Sequence, residues 1–300
     1  MPMSQVINCV RLLTRLMPYM FEDAEWRGYF WTSIPAGDGQ APMASVLLGL
    51  LGDLLFCPGF TVGGAKLIWE AGVGFGNKPV SSAQLDQNRT EVLKLLLTCF
   101  SEVIYAPITD DSRLRWVGRF TSAENKHVLP LFTSLLNVVC AYNPVGMGLP
   151  YNYLLFNDSR EPLVEVALQV LIVCLDKDCQ PQGDDTGYSD NYFINYLGRI
   201  HREEDFEFML KGITRLLSNP LQSTYLPNSA KKVSFHQELL VLLWKCCEYN
   251  QKFMFYVLKT SDVLEILVPI LYHITESRND PSQFLLHSRS ILLSVFSRKQ

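Results

Sequence analysis

The sequence predicts an all-α fold, an armadillo/HEAT-like helical array (an α-solenoid) with long loops. Three features of the chain point to it. In the stretch Val233–Thr275, Phe235, Leu239, Leu242, Leu243, Cys246 and Cys247 recur at three- and four-residue steps, the stripe of an amphipathic helix. Tyr249-Asn250-Gln251 ends that helix, Phe253–Lys259 has room for about two turns, and Thr260-Ser261-Asp262 offers capping oxygens for a third. A long, a short and a capped helix make a unit that cannot bury its apolar face without neighbours. The second feature is an internal echo. Leu136, Cys140, Tyr142 and Asn143 recur as Leu243, Cys247, Tyr249 and Asn250 at a constant offset of 107 residues. The third is composition: 300 residues, 48% hydrophobic and 19% charged, supply a sizeable core and do not fit a disordered chain.

Taken in order, Gln5–Phe21 reads as a helix with Val6, Val10, Leu13, Met17 and Met20 on one side and a late Pro18 that kinks or ends it. Glu22–Trp31 is a short helix bearing Trp26, Tyr29, Phe30 and Trp31. Thr32–Pro42 is a Gly/Pro loop, and Met43–Phe56 an apolar helix closed by Pro58-Gly59. Thr61–Asn88, rich in glycine and small polar residues, reads as a long irregular connection. Arg89–Tyr105 is a helix, Pro107–Ser112 a loop, and Leu114–Phe120 ambiguous between helix and strand. Ser122 caps a helix over Glu124–Ala141, and Tyr142–Tyr151 is a Pro/Gly turn region. Glu161–Leu175 is helical, with Pro162 in the first turn, where proline is tolerated. Asp176–Asn191 reads as a flexible insertion. Tyr192–Ile200 and Glu203–Ser218 are helices stopped by Asn219-Pro220, and Leu221–Lys232 is a loop.

A net charge of −4 and a pI near 5.8 argue against an electrostatic nucleic-acid binder. Most of the eight cysteines lie inside apolar helical runs, which suits buried free thiols in a reducing compartment. Arg11 and Arg15 interrupt the first apolar run, so it does not read as a secretory signal. No apolar run reaches the length of a membrane span. These features set the expectation of a soluble, cytosol-facing protein.

Several stretches invite a chemical reading. Glu70–Gly76 (EAGVGFG) carries glycine at three alternate positions, but Asn77-Lys78-Pro79 follows where a phosphate cradle needs a helix, so a plain flexible loop is expected. His201, Arg202, Glu203, Glu204 and Asp205 crowd the start of a helix. Paired carboxylates can do acid–base work, and acids also suit the positive end of a helix. A helix end, available as a partner-binding surface, is the reading preferred over a hydrolase site. Cys174 and Cys179 with Asp176 and Asp178 lack zinc-ligand spacing. The five histidines show no HExxH, and no GxSxG elbow occurs. No catalytic residue, metal or cofactor is therefore expected. The sequons at Asn88 and Asn157 read as helix caps. Trp26, Phe30 and Trp31 are either core or partner anchors.

Particular strings identify the chain as similar to a known family. They are INCVRLLTRLMPYMFEDAEWRGYFW (Ile7–Trp31), IWEAGVGFG (Ile68–Gly76), LKLLLTCFSE (Leu93–Glu102), LPLFTSLLNVVCAYNPVG (Leu129–Gly146), REPLVEVALQVLIV (Arg160–Val173), NYLGRIHREEDF (Asn195–Phe206) and RLLSNPLQSTYLPNSAKKVSFHQELLVLLWK (Arg215–Lys245). Together they resemble the high-temperature-induced dauer formation protein family, distantly related to dymeclin. The resemblance implies a non-enzymatic peripheral protein of the cytosolic face of the medial and trans-Golgi. It implies a role in sorting peptide cargo into dense-core secretory vesicles, partners among the Golgi trafficking machinery, and a hold on the membrane through an N-terminal myristoylated glycine.

The chain departs from that pattern. It begins Met1-Pro2-Met3-Ser4, without the glycine that myristoylation requires, so a weak or indirect hold on the Golgi membrane is expected. Residues 1–275 are expected to form the array and 276–300 a divergent tail, whose Ser282–Gln300 does not resemble the family continuation. The alternatives are a generic cytosolic α-solenoid adaptor or an inactive truncated product.

Overall fold

The computed structural model describes residues 3–36, 39–64, 67–80, 82–105, 115–144, 158, 160–176, 191–222, 233–259 and 263–279. The chain is predominantly helical, as the periodicity predicts, with one small ribbon. It divides into two units. The first comprises residues 1–69, 78–134 and 173–195, and the second 70–77, 135–172 and 196–300.

In the first unit, α1 (Met3–Glu22) buries Val10, Met17 and Phe21. Its spacing of seven and four residues is the apolar stripe seen in the sequence. Pro18 does not end the helix, because Met17 and Phe21 are both anchored in the core on either side of it. Asp23 caps α2 (Ala24–Tyr29), accepting from Glu25 N at 2.7 Å and Trp26 N at 3.2 Å. The loop expected over Thr32–Pro42 is instead a hairpin. β1 (Ser33–Ala36) pairs antiparallel with β2 (Gly39–Pro42), setting Ile34 opposite Ala41. In a two-stranded ribbon both strands are edges, so Pro35 and Pro42 are tolerated.

α3 (Met43–Leu55) follows and buries Leu48, Leu51 and Leu55. α4 (Ala83–Phe100) starts six residues before the expected Arg89, because Ser82 Oγ caps it by accepting from Leu85 N. Asn88 is thus no cap. It lies buried in mid-helix and donates to Phe60 O at 2.8 Å. Beside it Arg89 and Asp86 form an ion pair at 2.7 Å with both side chains almost wholly buried. Arg89 also donates to Thr61 O at 2.7 Å and stacks over Trp69. These bonds fasten the chain at Phe60-Thr61, part of the stretch read as an irregular connection. α5 (Glu102–Tyr105) and α6 (Arg115–Thr121) complete this run, and the ambiguous segment is helical from Arg115 onward.

α7 (Val128–Ala141) starts later than the Ser122 cap suggests. Ser122 Oγ accepts from Glu124 N in a turn, and Asn125 Oδ1 accepts from His127 N just before the helix. α7 and α8 (Glu161–Cys174) are buried on nearly every side, which their almost continuous apolar sequences require. Asp158 Oδ1 accepts from Arg160 N in a turn ahead of α8, and Asn157 of the second sequon lies outside the described residues. The Pro107–Ser112 loop, the turn region from 145 and the 177–190 insertion lie outside the described residues.

The second unit adds α9 (Tyr192–Arg199), whose later residues belong to it, then α10 (Glu203–Leu217), a 3₁₀ turn at Asn219–Gln222, α11 (His236–Tyr249), α12 (Gln251–Lys259) and α13 (Val263–Asn279). α10 lies against the end of α7 at Gly212, where the absence of a side chain admits the Cys140 backbone. Arg215 then donates to the carbonyls of Cys140 and Tyr142, each at 2.8 Å, placing a cation at the negative end of α7. The two copies of the echo share buried Leu and Cys but reverse their ends. Tyr142 is buried and Asn143 exposed, whereas Tyr249 is half-buried and Asn250 buried. Asn250 caps α12 through Phe253 N and donates to Leu197 O and Ile200 O at 2.8 Å each.

Candidate functional site: a clasped glycine loop on the start of α10

Two stretches that the sequence presents separately, EAGVGFG and IHREEDF, meet in the second unit. The loop turns tightly, with Gly72 N donating to Phe75 O at 2.8 Å and Phe75 N to Gly72 O at 3.0 Å. Gly74 has φ +69°, a left-handed conformation that glycine adopts without a Cβ penalty. The loop is not the plain flexible segment its glycines suggest. Asn137, inside α7, clasps it: its Oδ1 accepts from Val73 N at 2.8 Å, and its Nδ2 donates to Glu70 O at 3.1 Å and Val73 O at 3.3 Å. Glu70, itself buried, accepts from Arg160 Nη2 at 2.7 Å. Gly72 lies under the Phe208 ring, and a Cβ there would sit 2.5 Å from it.

The helix end supplies the other wall. Asp205 is buried and saturated. Its Oδ1 accepts from Gly74 N at 3.3 Å and Arg202 Nη2 at 2.9 Å, and its Oδ2 from Arg202 Nε at 2.8 Å. Hydrogen bonding to Asp205 raises the pKa of Arg202 still further, so its guanidinium stays charged. Glu203 and Glu204 are exposed in the first turn of α10, where the helix dipole favours them. His201 is also exposed, with Nδ1 2.9 Å from Arg199 O. Gly72, Gly74, Phe75, Arg202, Glu204 and Phe208 border a shallow open cleft of about 370 Å³. Asp205, the more enclosed of the two carboxylates that line the cleft, already accepts three hydrogen bonds, which leaves the cleft a fixed recognition surface. The sequence did not point to Asn137, Arg160 or Phe208. The one available signal was a polar residue in the apolar run LFTSLLNVVCA.

The aromatic candidates of the first unit part company. Trp26 is 53% exposed and pairs with Tyr29, also exposed, at 5.7 Å. Phe30 is core, against Phe21 at 5.6 Å and Trp116 at 5.5 Å. It is therefore not a partner anchor. Trp31 is half-buried, edge-on to Trp116, with Arg115 stacked on its ring at 4.9 Å. Among the described residues, no group of three or more His, Cys, Asp or Glu is placed to hold a metal ion, and no helix is long and apolar enough to cross a membrane.

Fold and site together define a helical protein that holds a glycine loop rigidly at its surface. The chain belongs to the high-temperature-induced dauer-formation protein family, whose profile matches residues 1–300. It is 53% identical to Protein HID1 of Mus musculus over 337 residues, covering 97% of this chain and 43% of the relative. The corresponding human protein is 52% identical with the same coverage. The Ubp5-interacting protein ftp105 of Schizosaccharomyces pombe is 27% identical, covering 83% of this chain and 29% of its own length. The chain thus spans less than half the length of these relatives. No solved structure matches it.

Proposed function

We propose that the chain is part of a non-enzymatic trafficking protein. It works as an armadillo/HEAT-like α-solenoid peripheral to the cytoplasmic face of the trans-Golgi, in the sorting of peptide cargo into dense-core secretory vesicles. The loop at 70–76 and the start of α10 are its partner-binding surface. The observation that carries this reading is the clasp. Asn137, Arg160 and Asp205 fix a loop of small residues in one conformation and, among the described residues, leave no enclosed free base or nucleophile beside it, an arrangement suited to recognition. Preorganised surface of this kind lowers the entropic cost of binding. The Golgi setting rests on family membership, and the name of the fission yeast relative, which describes a partner-binding protein, agrees with a binding role.

The test is localisation in secretory cells of the tagged chain with and without a myristoylation-competent N-terminus. Each form is also made as Glu204→Lys, an exposed change that leaves the clasp intact. Concentration on trans-Golgi markers that Glu204→Lys abolishes is the expected result. Both forms folded yet spread through the cytosol would overturn the localisation and leave a cytosolic adaptor.

A further inference from the structure

The second unit contains a pair of histidines that the proposed function does not use. His236 opens α11 and His273 lies in α13. Their rings stack nearly parallel, 7° apart, with centroids at 4.6 Å. His273 is buried, and its Nε2 lies 3.1 Å from the carbonyl of Leu217, the last residue of α10. A carbonyl only accepts, so Nε2 carries the proton. His236 hydrogen-bonds to the backbone of Val233 just before α11. The pair thus ties α13 to the end of α10 and the start of α11. One turn before His273, Pro269 with Val268 and Leu264 forms one wall of a groove of about 720 Å³. Leu210 and Thr214 of α10, with Ser218 just after it, form the other.

We propose that the His236–His273 stack is an acid-released latch: neutral imidazoles lock α13 onto α10 and α11, and acidification frees α13 and dismantles the α10–α13 groove.

The geometry supplies the reason. Neutral rings stack face to face without electrostatic penalty, whereas two imidazoliums at this separation repel. A second proton on His273 must go to the nitrogen that does not face Leu217. The charged groups on the packed elements do not compensate. Burial opposes a charge on His273 and, with His236, outweighs the Leu217 carbonyl and Glu276 of α13, which favour it; at His236 burial outweighs the Val233 bond. On α10, Lys211 is paired with Glu207, and Arg215 is bonded to the α7 carbonyls. Glu238 on α11 and Glu265 on α13 are the acids of the flanking first turns. Lys231 and Lys232 precede Val233, outside the described residues.

The sign follows. Both folded-state pKa values lie below the ordinary value, so the latch is intact above about pH 6.5 and weakens as pH falls through the folded values. Each proton taken up on release steepens opening by up to about tenfold per pH unit.

Hydrogen exchange of the whole chain at pH 7.5 and 5.5, corrected for intrinsic rates, tests this. Amides of α13 should open at least tenfold more at pH 5.5, while those of α4 in the first unit stay within twofold. In His236→Gln/His273→Gln, which keeps amide donors and cannot titrate, α13 should lose this sensitivity. Equal acid release in that variant would assign the effect to the carboxylates and sink the proposal. Should the variant fail to fold, the imidazole nitrogen resonances of the unmodified chain decide. Two coupled titrations below about pH 6.5 support the latch, and ordinary titration near that value refutes it.

Discussion

Gly212 faces the Cys140 carbonyl so closely that a Cβ on it would lie 2.3 Å from the oxygen, with the Cys140 Cα at 2.8 Å. Both obstructing atoms are backbone, so neither can turn aside as a side chain could. Gly212→Ala should destabilise the chain by about 2–3 kcal/mol through overpacking, against the small gain alanine normally brings to a helix. A urea midpoint unchanged or raised in the variant would show that α7 and α10 do not meet at this residue.

The clasp predicts a local defect. Asn137→Ala removes three hydrogen bonds and leaves the Val73 N–H buried without a partner, a loss of about 2–4 kcal/mol. Exchange of amides 72–76 should quicken more than that of α4. Uniform quickening throughout the chain would mean that Asn137 only supports global stability.

The buried pair in α4 gives a two-part prediction. Arg89→Met strands the Asp86 carboxylate and should cost about 3–5 kcal/mol. Arg89→Met/Asp86→Leu should recover much of that, because no charge is left to desolvate. Thermal melts of the three chains check the ordering.

Glu102 titrates against the fold. Burial raises its pKa, and the indole N–H groups of Trp116 and Trp31, with Arg115 and Arg27, offset this only in part. A carboxyl with a raised folded pKa adds stability below its unfolded value, about 4.3, and withdraws it as pH rises through the folded value. Glu102→Gln should therefore melt higher than the parent at pH 7, with the advantage shrinking towards pH 4. An advantage independent of pH would assign it to packing.

Trp26 and Phe30 are four residues apart and should behave in opposite ways. Phe30→Ala empties a core position and should cost about 3–5 kcal/mol. Trp26→Ala should stay within about 0.5 kcal/mol and any effect should fall on partner binding. Equilibrium unfolding separates them.

What the sequence discloses and what it hides divide along physical lines. Helices whose stripes face one core, such as Met3–Glu22 and His236–Tyr249, are legible because periodicity records burial directly. Ala83–Asn88 is not, because its buried face carries polar Asp86 and Asn88 beside Leu85. Arg89 pairs with Asp86, while Asn88 and Arg89 reach the carbonyls of Phe60 and Thr61, and a polar run reads as a loop. The site was half legible. EAGVGFG and the acids at 203–205 stand out in the chain, but their meeting does not, since Asn137 and Asp205 act across sequence distances that no local pattern records.

Those distances also set a timetable during synthesis. Val73 must wait 64 residues for Asn137, and Gly74 must wait 131 for Asp205. At about 5–20 residues per second, the loop stays unanchored on the second side for roughly 7–26 s after it is made. Through that interval the apolar flank at Val73 and Phe75 has no native cover from α10, so the nascent chain is open to capture by folding helpers until the ribosome has passed the start of that helix.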